Sequence, residues 1–302
     1  MRGENIVEKI IYDTDIGTDI DDSFALAYLL ARDDCELVGI TTVSGEAEKR
    51  AELASAICCN AGRKDIPIYP GCSMPLIHKP VQAFAKQYAR ITPFERRVDF
   101  EKYSAVDFMR RTIRENPGEI TLLAVGALTN VALLFSIDPE IPSLLKRMVI
   151  MGAHFGFDPA DGAVSEWNMR CDKHAAEIVF NNTPADFMAV SADVTRKIKM
   201  KKQEHEEYLS IPLLRPVFAF AEEWFKKTDT VCYHDPLAAA LVFDPSFCTY
   251  ERGNVTMNMG QTNDDLPYTE FTPDPDGKVL ATKTVDIEGF LRHYYETVGR
   301  IS

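Results

Sequence analysis

Three kinds of feature are missing or scarce in this sequence. No apolar run approaches the roughly 18 residues of a membrane-spanning helix, and the opening segment MRGENIVEK is polar where a secretory signal would carry an apolar core. Cysteine occurs seven times, at Cys35, Cys58, Cys59, Cys72, Cys171, Cys232 and Cys248, with no CxxC spacing. An odd count with one adjacent pair suits neither a disulfide framework nor a zinc site, so reduced thiols in a cytoplasmic protein are expected. Positive charge is in deficit: 33 Lys and Arg stand against 46 Asp and Glu, a formal net charge of −13. Such a chain lacks the cationic surface that nucleic acid or anionic lipid requires, and neither is an expected partner. Hydrophobic residues make up 46% of the chain and charged residues 26%, which excludes disordered and low-complexity classes. With 302 residues, no internal repeat and no Pro/Ser/Gly-rich linker, the expectation is a single domain over residues 1–302.

Short β-branched runs alternate with helical periodicity through the first two thirds. Strands are expected near Lys9–Asp13, Glu36–Val43, Glu119–Val125, Met148–Met151 and Asp186–Val190. Between them, Asp22–Arg32, Ala47–Gly62, Tyr103–Glu115, Leu128–Ser136 and Asp172–Asn181 carry apolar residues at spacings of three and four. That order predicts an α/β fold with an open, mainly parallel central sheet flanked by helices. Two long connections, Gly71–Asp99 and Gly152–Cys171, lie where loops over a sheet's carboxyl edge carry function. The last third reads as helix-rich from Lys199 to Phe243, then as strands around Cys248–Met259 and Lys278–Val285, closed by a helix from Ile287.

The line IYDTDIGTDIDDSFALAYLLA, from Ile11 to Ala31, holds Asp13, Asp15, Asp19, Asp21 and Asp22 with no basic residue and no glutamate. A solvated acidic turn is the bland reading. The cluster sits, however, between a buried-looking strand and an apolar helix, at the edge where α/β sheets bind ligands. The roughly 0.3 to 1 kcal/mol that a helix N-terminus gives each anion does not offset the mutual repulsion of carboxylates a few ångströms apart. A cation is therefore expected, and oxygen-only donors select Ca²⁺ or Mg²⁺ over zinc. An EF-hand loop begun at Asp13 would need Gly sixth and Glu twelfth, where Thr18 and Phe24 stand, so that pattern fails. Asp13-Thr14-Asp15 after a strand also resembles the opening of haloacid-dehalogenase-type phosphatases, with Asp13 as nucleophile and Asp264-Asp265 as a late Mg²⁺ pair.

Four further segments place polar residues at expected strand ends. His234-Asp235-Pro236 opens the apolar helix PLAAALVF, where Asp is equally a structural cap. Glu166 and Asn168 in SEWN would point the same way if that segment were extended. GALTN, Gly126 to Asn130, follows the strand TLLAV and could set a backbone carbonyl at the sheet's edge; Val43-Ser44-Gly45-Glu46 does the same after the second strand.

DTDIGTDIDD, GALTN, SEWN after MGAHFG, and HDP, in that order between Lys9 and Pro245, together resemble the inosine-uridine type of nucleoside N-ribohydrolase. The resemblance implies a Rossmann-like fold, one Ca²⁺ per subunit, a ribonucleoside substrate cleaved to ribose and free base in nucleoside salvage, and a homodimer or homotetramer. It makes Asp15 the general base and a calcium ligand, with Asp22, the carbonyl of Thr129 and Asp235 as further ligands. Asp21, Glu166 and Asn168 would bind ribose, and His234 would lie beside the leaving base, where an unperturbed pKa near 6.5 lets it donate a proton. Two extra residues between Asp15 and Asp21 make Asp19 a competing ligand. Glu46 stands where the family often has Asn, and Ala160-Asp161 stand where some members place a ribose-facing Asn. Trp224, Phe225, Tyr233 and Tyr88 would either stack on the base or pack in the core. A non-catalytic ribose-binding protein, to which Glu46 points, is the alternative of another class.

Overall fold

Alternation along the first strand sets the architecture. In β1 (Glu8–Thr14), Ile10 and Tyr12 are buried on one face of the sheet and Ile11 on the other, so both faces need a helical cover. The computed structural model describes residues 7–157, 165–260 and 266–300. Ala160, Asp161, Asp264 and Asp265 lie outside the described residues.

The remaining strands are β2 (Cys35–Thr42), β3 (Ile68–Pro70), β4 (Ile120–Ala124), β5 (Arg147–Met151), β6 (Phe187–Val190), β7 (Lys199–Lys201), β8 (Thr230–Cys232), β9 (Cys248–Asn258), β10 (Tyr268–Pro273) and β11 (Val279–Val285). Among the described residues, nine form one sheet in the order β10-β9-β11-β6-β5-β4-β1-β2-β3. From β3 to β11 the neighbours run parallel, and β9 pairs antiparallel with both β11 and β10. This is the open, mainly parallel mixed sheet expected from the sequence. One face is covered by helices Asp21–Leu30, Ala47–Asn60, Arg215–Trp224, His234–Phe243 and Ile287–Val298, the other by Ala105–Glu115, Thr129–Ile137 and Lys173–Asn181.

The chain leaves β1 towards β2 and β3, then returns on β1's other side as β4, with Asp13 opposite Ala124. Successive connections thus diverge at the carboxyl ends of β1 and β4, which opens a crevice at the point where α/β sheets take ligands. A separate antiparallel pair, β7 and β8, replaces part of the helix expected over Lys199–Phe243 and sets Lys199 opposite Cys232, two residues before His234. No described helix is long and apolar enough to cross a membrane, and the seven cysteines are free thiols.

Candidate active site

β1 ends at Thr14, and helix Asp21–Leu30 begins six residues after Asp15. The turn between them is built around the fully buried Arg50. Its guanidinium donates to the carbonyl of Asp15, to the carbonyl of Ile16 at 3.0 Å and to Thr18 Oγ1 at 3.1 Å, while its Nε reaches the Ser44 carbonyl at 2.7 Å. Thr14 Oγ1 donates to Asp22 Oδ1 at 2.5 Å, tying the strand end to the helix start. The segment after β4 comes equally close: a Cβ on Gly126 would lie 2.9 Å from the Asp15 nitrogen, so only glycine fits there.

Asp21 and Asp22 occupy the first turn of one helix and Asp235 the first turn of another, His234–Phe243. The two N-termini converge, and the Asp235 amide donates to Asp21 Oδ2 at 3.2 Å. One carboxylate oxygen from each of Asp21, Asp22 and Asp235 lies within 4.8 Å of the others, a cluster able to hold a metal ion. Burial pushes all three well above the ordinary carboxylate range, and their like-charged neighbours push further. Asp15 is raised mainly by burial, against the pull of Arg50 and a hydrogen bond from Gln82 Nε2 to its Oδ2. Asp19, half-buried, is raised to about 7, chiefly by desolvation. Carboxylates this close and this dry stay ionised together only around a cation.

These groups line one cavity of about 920 Å³. Asp15, Asp19, Asp21, Asp22 and Asp235 share it with Glu166, Asn168, His234 and Trp224, so nine residues singled out in four separate stretches of sequence meet in one place. Others do not. Thr129 does not line the cavity: it is the first residue of helix Thr129–Ile137, and its hydroxyl donates to Asp172 at 2.7 Å. The carbonyl at the sheet edge is that of Val125, four residues earlier, where β4 gives way to Gly126. Glu46 turns away to Lys49 at 2.5 Å and to the Ala85 amide at 3.1 Å. Tyr233 is wholly buried in the core, its hydroxyl bonded to His205 at 3.0 Å and to Tyr295. Phe225 and Tyr88 likewise pack against the core outside the cavity.

Two expectations about chemistry also change. SEWN is not extended: Glu166 is the N-cap of helix Trp167–Cys171, accepting from the amides of Asn168 at 2.9 Å and Met169 at 3.0 Å, and burial raises it to about 7. Asn168 Nδ2 is spent on the carbonyls of Val125, at 2.6 Å, and Met151, at 3.1 Å, which leaves Oδ1 for a ligand. His234 is pushed down to about 4 by burial and then by Arg196 and Lys199, so it is a neutral imidazole and not an acid poised at neutral pH; its Nδ1 meets Thr195 Oγ1 at 2.7 Å. Asp13 stands apart. Its Oδ1 accepts from Thr41 at 2.6 Å and Asn130 at 2.8 Å, on the face of the sheet opposite the acidic helices, and it does not line the cavity. A nucleophile there could not reach a substrate, which removes the basis of the phosphatase alternative.

Sequence reasoning missed Gln82, which bridges Asp15 and, through its Oε1 at 3.1 Å, Trp167 Nε1. It also missed the cationic part of the wall, Arg170, Arg196, Lys199 and Lys227. Gln82 lies in an aperiodic loop that carries no signal, whereas Val125 was accessible as the last residue before the glycine that ends a strand.

An α/β protein with a mainly parallel sheet and an acidic cavity at its topological switch is the class this geometry defines. Residues 10–292 match the family model described as inosine-uridine preferring nucleoside hydrolase, and the chain belongs to that family. Uridine nucleosidase 1 of Arabidopsis thaliana is 30% identical, over 95% of this chain and 91% of that protein. The inosine-uridine preferring nucleoside hydrolase of Crithidia fasciculata is 29% identical over 83% and 84%. A solved plant nucleoside hydrolase superposes with a TM-score of 0.81 at 25% identity, covering 97% of this chain and 99% of that one. The protein is therefore an enzyme acting on N-glycosyl compounds, and its reaction class is hydrolysis of the N-glycosidic bond of ribonucleosides.

Proposed function

We propose that Asp15 is the general base of this hydrolysis and that Ca²⁺ is the resident cation. The observation that carries the reading is the convergence of Asp21, Asp22 and Asp235 from two helix N-termini beside Asp15. The donor set fits the ion: every group is an oxygen, the carboxylates are buried and mutually destabilised, and hard oxygen donors suit calcium rather than zinc. Asp15, Asp22, Asp235 and the Val125 carbonyl would hold it, with Asp19 at the cavity's side. When bound, calcium supplies charge compensation and a polarised water next to the ribose hydroxyls.

The chain's own residues do the rest. Gln82 fixes Oδ2 of Asp15 and leaves Oδ1 to take the proton of the attacking water. Asp21 accepts from a ribose hydroxyl, and Asn168 Oδ1 accepts from another. Glu166, held by three backbone amides, fixes the turn that presents Asn168. The ring of carboxylates stabilises the positive charge that grows on the ribosyl ring. With the Thr195 hydroxyl donating to Nδ1 of His234, Nε2 carries the proton of the neutral ring and donates a hydrogen bond to the departing base. Trp224 forms part of the wall that the base would meet. The reading extends to a cytoplasmic homodimer or homotetramer serving nucleoside salvage, and sedimentation of the purified chain tests the assembly. With Glu46 outside the cavity, the feature that pointed to a non-catalytic ribose-binding protein loses its force.

The test is release of reducing sugar from inosine and uridine, with and without a calcium chelator. Asp15→Ala is expected to lower turnover on the order of 10³-fold while circular dichroism stays unchanged. Wild-type turnover in that variant removes Asp15 from its role, and full activity after chelation removes the calcium.

A further inference from the structure

A second group of metal-type side chains lies outside the cavity, where the loop after β3 meets helix Lys173–Asn181. One ring nitrogen each of His78 and His174 and a carboxylate oxygen of Asp172 lie within 4.8 Å of one another. Asp172 is fully buried and is the N-cap of that helix: Oδ1 accepts from the Ala175 amide at 3.1 Å, and Oδ2 accepts from Thr129 Oγ1 at 2.7 Å and from the Leu76 amide at 2.8 Å. A carboxylate offers about four lone-pair sites, so Oδ1 keeps one in reserve.

The histidines are better prepared than chance would make them. His78 Nδ1 lies 2.9 Å from the Lys79 carbonyl, and because a carbonyl only accepts, Nδ1 carries the proton and Nε2 is bare. That Nε2 is buried with no hydrogen-bond partner, and so is Nδ1 of His174. A buried, unpartnered ring nitrogen is costly to leave unmatched, and two of them flank the same carboxylate. A ring N–H tied to a backbone carbonyl, with the other nitrogen free, is the arrangement that orients metal-ligating histidines. The neighbouring cation, Lys173, directs its ammonium to the Met259 carbonyl at 2.9 Å.

We propose that His78, Asp172 and His174 form a second cation site, suited to a zinc-type transition metal ion with water as its fourth ligand. Two imidazoles and one carboxylate favour such an ion over calcium, the reverse of the acidic cavity's preference. Ligands 2.0–2.1 Å from a tetrahedral ion lie about 3.4 Å apart, a spacing compatible with three atoms that all fall within 4.8 Å of one another. The site pins the loop from Gly71 to Ala85 against the helix, and that loop carries Gln82, the partner of Asp15. Its role is therefore to hold in place the loop that orients the base.

Cobalt(II) is the probe, added to the full-length protein with calcium in excess. One equivalent is expected to bind with a visible absorption band in the wild type and in Asp235→Asn, and none in the double variant His78→Ala/His174→Ala, whose turnover with calcium alone matches that of the wild type with calcium alone. Zinc should raise the thermal midpoint of the wild type and leave that of the double variant unmoved. The single variant His78→Gln, which loses one nitrogen and keeps the loop's bulk, covers the case in which the double variant fails to fold; it too should lose the band. An unchanged band in these variants, or a band lost in Asp235→Asn alone, overturns the proposal, as does the absence of any band, which would mean that water serves both nitrogens.

Discussion

Asp138 and Asp22 are almost equally covered, at 4% and 3% exposure, yet they sit in opposite electrostatic company. Asp138 lies beneath Arg110, at 2.7 Å, and Arg114, at 2.5 Å, whose hydrogen bonds hold it down to about 2. Asp22 is covered by apolar packing and by other carboxylates, and its pKa is driven up. Arg50 is the cation nearest to Asp15 and Asp22, and most of its hydrogen bonds go to carbonyls. Equal exposure hides a difference in depth: Asp138 lies shallow beneath half-exposed arginines, Asp22 lies deep, and there the cost of burial is met by no nearby positive charge beyond Arg50. Where the protein supplies arginines, the aspartate is structural. Where it supplies more aspartates, the missing charge has to come from solution.

The largest break in this comparison comes from the acidic side. Asp22→Asn or Asp235→Asn is expected to weaken calcium binding by at least about 100-fold, or about 2.7 kcal/mol, by isothermal titration. The same substitutions should make the calcium-free protein more stable, on the order of 1 kcal/mol, because a neutral amide avoids the cost of either ionising or protonating a carboxyl in that buried, acidic company. A calcium-free Asp22→Asn protein less stable than the wild type would show that the cluster is not strained.

Asp138→Asn should act in the other direction, costing about 1–2 kcal/mol in urea denaturation at neutral pH. Its pH dependence has a definite sign. A carboxyl held down to about 2 when folded, against 3.8 when free, stabilises fully above pH 3.8, and that contribution disappears as pH falls towards 2. The variant's stability should therefore fall less steeply than the wild type's over that window. The smallest effect is expected at Glu46→Gln, within about 0.5 kcal/mol and with KM for uridine unchanged, since Glu46 pairs with a half-exposed lysine. A severalfold rise in KM would put Glu46 back at the substrate.

Most of the parallel sheet was legible because β1, β2, β4, β5 and β6 are long or apolar enough to stand out from the helices between them. β3, β7 and β8 have three residues each, too few to display any period. The acidic residues were legible as an unbalanced charge next to a strand, and HDP as polar residues opening an apolar helix. Thr129 misled because motif position does not say which carbonyl faces outwards: the strand ends at Ala124, and a residue in the following helix has its carbonyl directed along the helix axis. Tyr233 misled because adjacency to His234 says nothing of direction at a strand-to-helix junction. The downward shift of His234 depends on Arg196 and Lys199, whose proximity only the folded chain defines.

Arg50 binds the Asp15–Thr18 turn, the Ser44 turn and, at 3.5 Å, the Gln82 carbonyl with one side chain. Three loops that share a single keystone cannot fray one at a time. In native-state hydrogen exchange the Gly45 amide, bonded to the Ser73 carbonyl, and the Gln87 amide, bonded to the Gly17 carbonyl, should report one common opening free energy. The base, its orienting amide and the turn behind them would then be gained or lost together, as one cooperative unit.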